Sequence, residues 1–108
     1  MTIIATDQEV VTLVNVFTVT PDRQQQVIDE LVGATRSVMS RLPGYVSANI
    51  HRSLDGTRVV NYAQWRRRED FQAMLRNPAA TEHRNRAEKL ASSVEPHLHD
   101  VVFIDHGE

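Results

Sequence analysis

The sequence predicts one α+β domain whose elements follow one another in the order βαββαβ. Three features indicate this class: short runs rich in β-branched residues, two longer segments with apolar residues at three- and four-residue spacing, and turn residues between them. A chain of 108 residues has the size of a single compact domain. We therefore expect residues 10–108 to form this domain and residues 1–9 to be a loose lead-in to it.

The first strand and the first helix are predicted within residues 10–42. Val10–Thr20 is rich in β-branched residues, which is typical of a buried strand. Thr20 and Pro21 indicate the start of a helix, because threonine is a good N-cap and proline suits the first helical position. The apolar stripe of this helix consists of Val27, Ile28, Leu31, Val32, Val38, Met39 and Leu42. Pro43-Gly44 follows the stripe and ends the helix.

A β-hairpin is predicted in the middle of the chain. Tyr45–Arg52 and Thr57–Trp65 both have the composition of strands. The segment between them contains Asp55-Gly56, which is a strong signal for a tight turn between antiparallel strands.

The last third of the chain is predicted to be helical and then extended. A helical pattern begins at Arg66, is interrupted at Asn77-Pro78, and continues from Ala79 to about Ala91. The last strand is expected at Leu98–Asp105. This order of elements is that of the ferredoxin-like fold. In that fold the first and third strands are central, and we expect them to be parallel neighbours.

Charge and composition exclude several classes of function. The formal net charge of −2 argues against a nucleic-acid-binding surface, and the absence of cysteine excludes disulfides, thiolate metal sites and cysteine nucleophiles. The longest apolar run, Val10–Phe17, is far shorter than the roughly 20 residues of a membrane span. Residues 1–9 lack the features of a secretory signal. We therefore expect a cytoplasmic protein with no membrane or nucleic-acid partner.

Side-chain alternation along the strands divides the predicted sheet into two faces, and both are too apolar to be left in water. The even-numbered face contains Val10, Val14, Val16, Val46, Ala48, Ile50, Val60, Tyr62, Leu98, Val102 and Ile104. The odd-numbered face contains Val11, Leu13, Asn15, Phe17, Val19, Tyr45, Asn49, Val59, Asn61, Trp65, Val101 and Phe103. Two helices cover only one face, so we expect the even-numbered face to pack against a second copy. The result would be a homodimer with the architecture of a dimeric α+β barrel; the alternative is a monomer whose helices cover more of the sheet.

Polar residues interrupt the apolar pattern of the odd-numbered face. Asn15 and Asn61 lie in the middle of the first and third strands, so adjacency of these strands would bring the two amides together. A buried amide is costly unless it is hydrogen-bonded. A ligand with carbonyl or phenol oxygens would satisfy both amides, but they would also satisfy each other. Trp65 lies four residues beyond Asn61 and adds an indole N–H donor, although a tryptophan at such a position is more often part of the core.

The segment from Asp55 to Trp65, together with Leu42-Pro43-Gly44-Tyr45, resembles the antibiotic-biosynthesis monooxygenase family. Within it, the run Asn61-Tyr62-Ala63-Gln64-Trp65 is most similar to the anthrone oxygenases of aromatic polyketide pathways. The resemblance extends over residues 10–104, and it is loose between Arg66 and Val94.

This resemblance implies a dimer with a cavity between the sheet and the helices of each subunit. It also implies oxidation of an anthrone-type aromatic polyketide to a quinone by O2, with no flavin, haem or metal cofactor. The family's catalytic residues match Asn15, Asn61 and Trp65. Amide and indole N–H groups suit this chemistry, because they would stabilise the enolate that forms when the anthrone loses its benzylic proton.

The odd-numbered face also offers candidate substrate contacts and candidate general bases. Phe17, Tyr45, Asn49 and His51 are predicted to bind the substrate. His51, His97 and His99 are candidate general bases, because histidine titrates near neutral pH, but nothing in the sequence selects among them. His97 and His99 also form a possible metal pair, for which no third ligand is found at a recognisable spacing.

Three other functions remain open at this point. The first is a haem-degrading monooxygenase of the same fold, which would need an axial histidine shortly after Trp65, where Phe71–Leu75 has none. The second is a polyketide cyclase, and the third is a dimer that binds a ligand without catalysis.

Overall fold

The structure, a computed structural model, describes residues 1–107 and consists of a four-stranded sheet with three α-helices. The elements in chain order are β1 (Val11–Thr18), α1 (Gln24–Ser37), a short 3₁₀ helix (Met39–Arg41), β2 (Tyr45–Arg52), β3 (Arg58–Trp65), α2 (Arg68–Leu75), α3 (Pro78–Leu90) and β4 (Ser93–His99). This confirms the predicted ferredoxin-like α+β fold. No helix within residues 1–107 has the length and apolar character needed to cross a membrane.

The sheet has the strand order β2-β3-β1-β4, and every neighbouring pair is antiparallel. The prediction that β1 and β3 are central neighbours is confirmed. The prediction that they run parallel is wrong. The α1 crossover returns the chain as β2, and the tight hairpin reverses it as β3, which therefore runs against β1.

Local turn and capping signals explain the element boundaries. Gly56 has a φ of +81°, and the Asp55 carboxylate accepts hydrogen bonds from the Thr57 backbone N–H at 3.0 Å and the Thr57 hydroxyl at 2.7 Å. Asn77 caps α3 by accepting a hydrogen bond from Ala80 N at 3.1 Å. The predicted start of α1 is wrong by a few residues: Thr20 begins a turn, and the helix starts at Gln24.

A β-bulge in β2 changes which residues face the helices. Tyr45 pairs with Trp65, but the next paired residue is Ser47, opposite Gln64. The extra residue between these pairs reverses the alternation for the rest of the strand. Ile50 therefore lies opposite Asn61 and packs against the core. Its predicted place on the even-numbered face, away from the helices, is wrong.

The last strand lies earlier in the chain than predicted. β4 spans Ser93–His99, and Pro96 lies within it, opposite Asn15. Proline is tolerated here because β4 is an edge strand. Leu98 lies opposite Leu13 and so belongs to the helix-covered face, which corrects another assignment to the even-numbered face, as the bulge does for Ala48 opposite Ala63. Residues 100–107 form no strand, and Val102 and Phe103 are largely exposed.

The helices pack on one face of the sheet. One buried cluster joins Phe17 and Val59 to Val27 of α1 and Ala87 of α3. A second cluster joins Trp65 to Met74 of α2 and Ala80 of α3. We call this side the covered face, and we call the side that carries Val14, Val16, Val60 and Tyr62 the open face.

Candidate active site

A cavity of about 100 Å³ lies between the covered face and the helices. Its wall is mainly apolar, and the apolar residues are Leu13, Leu31, Ala34, Met39, Phe71, Met74, Leu75, Val94 and Pro96. Its polar residues are Asn15, Asn61, His83, Arg84 and Glu88. An apolar cavity with a few convergent polar groups is the usual form of a small-molecule site.

Asn15 and Asn61 meet in this cavity because they are directly opposite each other in the β1–β3 pair. The side-chain oxygens of both amides are buried, and neither has a hydrogen-bond partner. A mutual hydrogen bond would give one of these oxygens a partner, so the two amides do not satisfy each other. Each unpartnered buried oxygen costs about 1–3 kcal/mol of folding free energy. The two oxygens can therefore each accept a hydrogen bond from a ligand that enters the cavity.

Trp65 lies on the same face but outside the residues that line the cavity. It is 2% exposed and packs edge-on against Tyr45, with ring centroids 5.9 Å apart, and against Phe71 at 6.5 Å. Phe71 does line the cavity, so Trp65 supports its wall from behind. Burial raises the pKa of the Tyr45 phenol, which therefore stays neutral over a wider pH range. The structure brings the two asparagines together, and it places the tryptophan one layer away.

Of the four predicted substrate contacts, none lines the cavity. Phe17 is a core residue of the covered face, and Tyr45 packs on Trp65. The prediction that Asn49 and His51 share this face is wrong, because the bulge in β2 turns both to the open face, opposite Tyr62 and Val60. There Asn49 donates to Tyr62 O at 3.1 Å and exchanges hydrogen bonds with the Thr2 hydroxyl.

The other two histidines that were candidate bases also lie on the open face. His97 and His99 are opposite Val14 and Thr12, and their ring centroids are 6.5 Å apart. Their expected position on the cavity side is wrong, because the register of the β1–β4 pair puts the even-numbered residues of β4 opposite the odd-numbered residues of β1. Within residues 1–107, no group of three or more histidine, aspartate or glutamate side chains could hold a metal ion.

His83 is the cavity residue that sequence reasoning missed. It lies three residues after Ala80 and four before Ala87, which are both fully buried on the inner side of α3. This spacing puts His83 on the same side of the helix, and it is the signal that would have identified it.

The His83 ring belongs to a polar cluster between α1 and α3. Its Nδ1 atom is 3.2 Å from Glu30 Oε2 and 3.0 Å from Arg86 Nη2, and its Nε2 atom is 3.4 Å from the Ser37 hydroxyl oxygen. Arg86 also forms an ion pair with Glu30. Partial burial by itself would raise the pKa of Glu30, but the hydrogen bonds and charges of Arg86 and His83 lower it below its ordinary value. Glu30 is therefore a carboxylate at neutral pH.

Comparison with known proteins agrees with this architecture. Residues 10–86 match the antibiotic biosynthesis monooxygenase family. Over 83 residues the chain is 46% identical to the tetracenomycin-F1 monooxygenase of Streptomyces glaucescens. The aligned segment covers 77% of this chain and 74% of that protein.

Solved structures show the same fold. SnoaB of Streptomyces nogalater, described as a cofactor-independent oxygenase, has a TM-score of 0.72 and 26% identity over 92% of this chain and 99% of that chain. The monooxygenase ActVA-Orf6 of Streptomyces coelicolor, solved with nanaomycin D, has a TM-score of 0.78 and 24% identity over 94% of each chain. The match over residues 10–86 and the 46% identical relative together establish that this chain belongs to the antibiotic biosynthesis monooxygenase family.

Proposed function

We propose that this protein is a cofactor-free monooxygenase that oxidises an anthrone-type aromatic polyketide intermediate to a quinone with O2. One observation carries the proposal: Asn15 and Asn61 lie opposite each other in an apolar cavity, and the side-chain oxygens of both are buried without hydrogen-bond partners. A flat aromatic substrate that bears a carbonyl and phenol groups has the shape and the polar atoms that such a cavity lacks.

The amides suit both the substrate and its anion. Each offers one oxygen acceptor and one nitrogen donor, which exchange places when the last side-chain bond rotates. The oxygen accepts a phenol O–H, and the nitrogen donates to the carbonyl oxygen of the substrate. When the benzylic C–H bond breaks, negative charge moves onto that oxygen, and an N–H donor aimed at it stabilises the enolate.

The reaction is balanced by O2 alone. The enolate passes one electron to O2, and the resulting radical and superoxide combine as a peroxide on the benzylic carbon. Loss of water from the peroxide leaves a carbonyl, so CH2 and O2 become C=O and H2O. An apolar cavity favours this sequence, because exclusion of water suppresses side reactions of the anion and the radical.

The cavity must expand to admit such a substrate. Its volume of about 100 Å³ is below the roughly 300–1,000 Å³ of typical ligand sites. Met39, Met74 and Leu75 in its wall are unbranched at Cβ, and methionine in particular adapts its shape readily. We expect these side chains to move on binding, with the two asparagines fixed on the sheet.

Two relatives support the proposed chemistry. The 46% identical protein is named for a monooxygenase activity on tetracenomycin F1, and the 26% identical SnoaB is described as a cofactor-independent oxygenase. Both names point to oxygenation, and that of the second also points to the absence of a cofactor.

The decisive measurement is O2 consumption by the purified protein with a simple anthrone. We expect turnover without added flavin, haem or metal, and its survival after chelation and gel filtration. Binding without O2 consumption would instead favour a cyclase or a ligand-binding protein. Haem loss under a reductant, after haem titration, would favour the haem-degrading alternative.

A filled cavity provides the matched negative control. Ala34 is 4% exposed and lines the cavity from α1, so Ala34→Leu places three more carbons inside it. We expect this variant to fold and to lose both anthrone binding and turnover. Ala79→Leu, on the exposed side of α3, should retain both.

We also propose that the protein is a homodimer joined through the open face. Val14, Val16, Val60 and Tyr62 form a half-buried apolar strip at the centre of that face, where no helix covers it. Polar residues, including Asn49 and His97, flank the strip. A second copy related by a two-fold axis would bury the strip against itself.

A further inference from the structure

His83 differs from the other four histidines of the chain in its position. His51, His97 and His99 lie on the open face, and His106 is exposed in the C-terminal segment. His83 lies on α3 and lines the cavity that contains Asn15 and Asn61. Its side chain is 19% exposed, and that of its partner Glu30 is 17% exposed. His83 is therefore a partly buried histidine in the wall of the cavity.

The Nδ1 atom of His83 faces an acceptor, Glu30 Oε2, and a donor, Arg86 Nη2 at 3.0 Å, and the Nε2 atom faces the Ser37 hydroxyl oxygen. Glu30 Oε2 is 3.2 Å from Nδ1, and the Ser37 hydroxyl oxygen is 3.4 Å from Nε2. Ser37 donates its own proton to Gly33 O at 2.6 Å, so its oxygen is available only as an acceptor. The contact at Nε2 is long for a hydrogen bond. In the tautomer that carries its proton on Nδ1, the ring donates to Glu30, and Arg86 pairs with the same carboxylate. In this tautomer the Glu30 carboxylate orients the ring, and Nε2 carries no proton and makes no strong hydrogen bond.

We propose that His83 is the general base of the reaction and that Glu30 is the positioning residue that orients it. This inference rests on the function proposed above. The benzylic C–H bond of the substrate breaks, its electron pair stays on the ring system as the enolate, and the proton forms an N–H bond at His83 Nε2. The resulting imidazolium later returns the proton to the peroxide, so the histidine is unchanged over one turnover.

The other polar groups in the cavity are poorer proton acceptors. Arg84 is permanently protonated, and the amides of Asn15 and Asn61 do not accept a proton at neutral pH. Glu88 is paired with Arg84 at 4.0 Å, and its side chain is 47% exposed. His83 is thus the base that the cavity itself supplies.

The charges around His83 also favour the product of the proton transfer. Before the transfer, the charges of Glu30 and Arg86 compensate each other, and the proposed base carries no proton on Nε2. Afterwards the cluster carries one positive charge beside the enolate in the cavity. Arg86 alone would oppose protonation of the ring, but the Glu30 carboxylate lies against both side chains and offsets this repulsion. Proton transfer therefore creates an ion pair across the cavity wall.

Proton abstraction can be measured without oxidation. The protein and an anthrone are incubated in D2O without O2, and NMR follows the exchange of the benzylic protons above the buffer rate. We expect His83→Gln to slow the catalysed exchange by about a hundredfold or more, as loss of a general base does. Glu30→Gln should slow it less, because the imidazole remains. His106→Gln, which removes an exposed histidine, is the matched control and should exchange at the parental rate.

Added imidazole supplies a second readout that a structural role would not produce. In His83→Ala, imidazole should enter the vacated space and restore part of the exchange, whereas it should not affect Ala34→Leu. Circular dichroism checks that each variant is folded. If His83→Gln does not fold, the exchange rate of Glu30→Gln and the imidazole rescue of His83→Ala test the proposal instead.

The outcomes separate this inference from the proposed function. Parental exchange in folded His83→Gln, or loss of exchange in Glu88→Gln alone, would overturn the assignment of His83 while O2 consumption by the parent protein stands. A parent protein that neither consumes O2 nor accelerates exchange would overturn the proposed function itself.

Discussion

Asn61 and Asn49 lie on neighbouring strands of one sheet, yet they are in opposite situations. Asn49 is on the open face, where it is hydrogen-bonded to the Thr2 hydroxyl and the Tyr62 carbonyl. Asn61 is on the covered face, under three helices, and its side-chain oxygen has no partner. Both residues are partly exposed, but the side-chain oxygen of Asn61 is itself buried and has no partner, whereas the Asn49 amide is hydrogen-bonded. This contrast supports the proposal that the active site lies on the covered face.

The same contrast extends to the charged and titratable residues. The open face carries three histidines, and none of them lines the cavity that contains Asn15 and Asn61. The covered side has one, His83, which lines the cavity and contacts a carboxylate. Residue type alone therefore does not separate a site from a surface; the partners and the surrounding space do.

The largest expected effect is that of Asn61→Leu on catalysis. Leucine keeps most of the side-chain volume and removes the amide, so kcat should fall on the order of a hundredfold or more while KM changes less. The melting temperature should rise, because an unpartnered buried oxygen is removed. Steady-state kinetics and calorimetry test this. Asn15→Leu should behave alike, and the double variant should lose less than the product of the two effects.

Asn49→Leu is the matched control for this comparison. It breaks hydrogen bonds to Thr2 and Tyr62, so it should lower the melting temperature and leave kcat within a few-fold of the parent. If Asn61→Leu instead destabilised the protein and left kcat unchanged, both asparagines would be structural.

The next effect concerns the open face and the proposed dimer. Val14→Asp puts an unpaired charge into the apolar strip and should weaken association by about 1–3 kcal/mol, roughly five- to 150-fold in the dimer dissociation constant. Sedimentation at micromolar concentration should then show a folded monomer. Ile50→Asp, on the covered face of β2, should impair folding instead. A parent protein that sediments as a monomer would contradict the dimer.

Trp65→Phe is expected to have a smaller effect on kcat than Asn61→Leu. The substitution keeps an aromatic ring against Phe71 and removes the indole N–H, which lies outside the cavity-lining residues. We expect kcat to fall only a few-fold, because Trp65 acts on the substrate through the cavity wall and the aromatic ring behind Phe71 is retained. Turnover at the parental rate in a folded variant would show that Trp65 only supports the wall.

The smallest effect is that of Asp55→Ala, in the hairpin far from the cavity. Hydrogen bonds from the Thr57 side chain and backbone, and from Ser53, lower the pKa of Asp55 to about 2 from its ordinary 3.8. Its stabilisation is thus fully present above pH 3.8 and is lost as the pH falls through about 2. The variant should melt a few degrees below the parent at pH 6, with the difference vanishing near pH 2. Its kcat should equal that of the parent.

Several elements were predictable because their signals are local. Asp55-Gly56 at the hairpin and Asn77-Pro78 at the start of α3 specify particular backbone conformations, and both are found where predicted. The adjacency of β1 and β3 followed from the order of elements, and it placed Asn15 opposite Asn61.

What depended on register was not predictable. One extra residue in β2 reversed the orientation of Asn49, Ile50 and His51. The residues near Tyr45 give no sequence signal for a β-bulge. β4 was misplaced because Pro96 was expected to precede the strand, whereas at an edge proline is compatible with pairing.

By itself, therefore, the sequence determined the order of elements, the turns and the presence of two amides in the middle of central strands. Those properties depend on backbone preferences and periodicity over a few residues. Only the tertiary structure decided that the amides are unpartnered, that Trp65 lies behind the cavity wall, and that His83 and Glu30 meet from two helices 53 residues apart in the chain. Such contacts depend on strand register and on how the helices pack over the sheet. A register shift of one residue, or the rotation of a helix by a fraction of a turn, moves a side chain from the cavity to the surface.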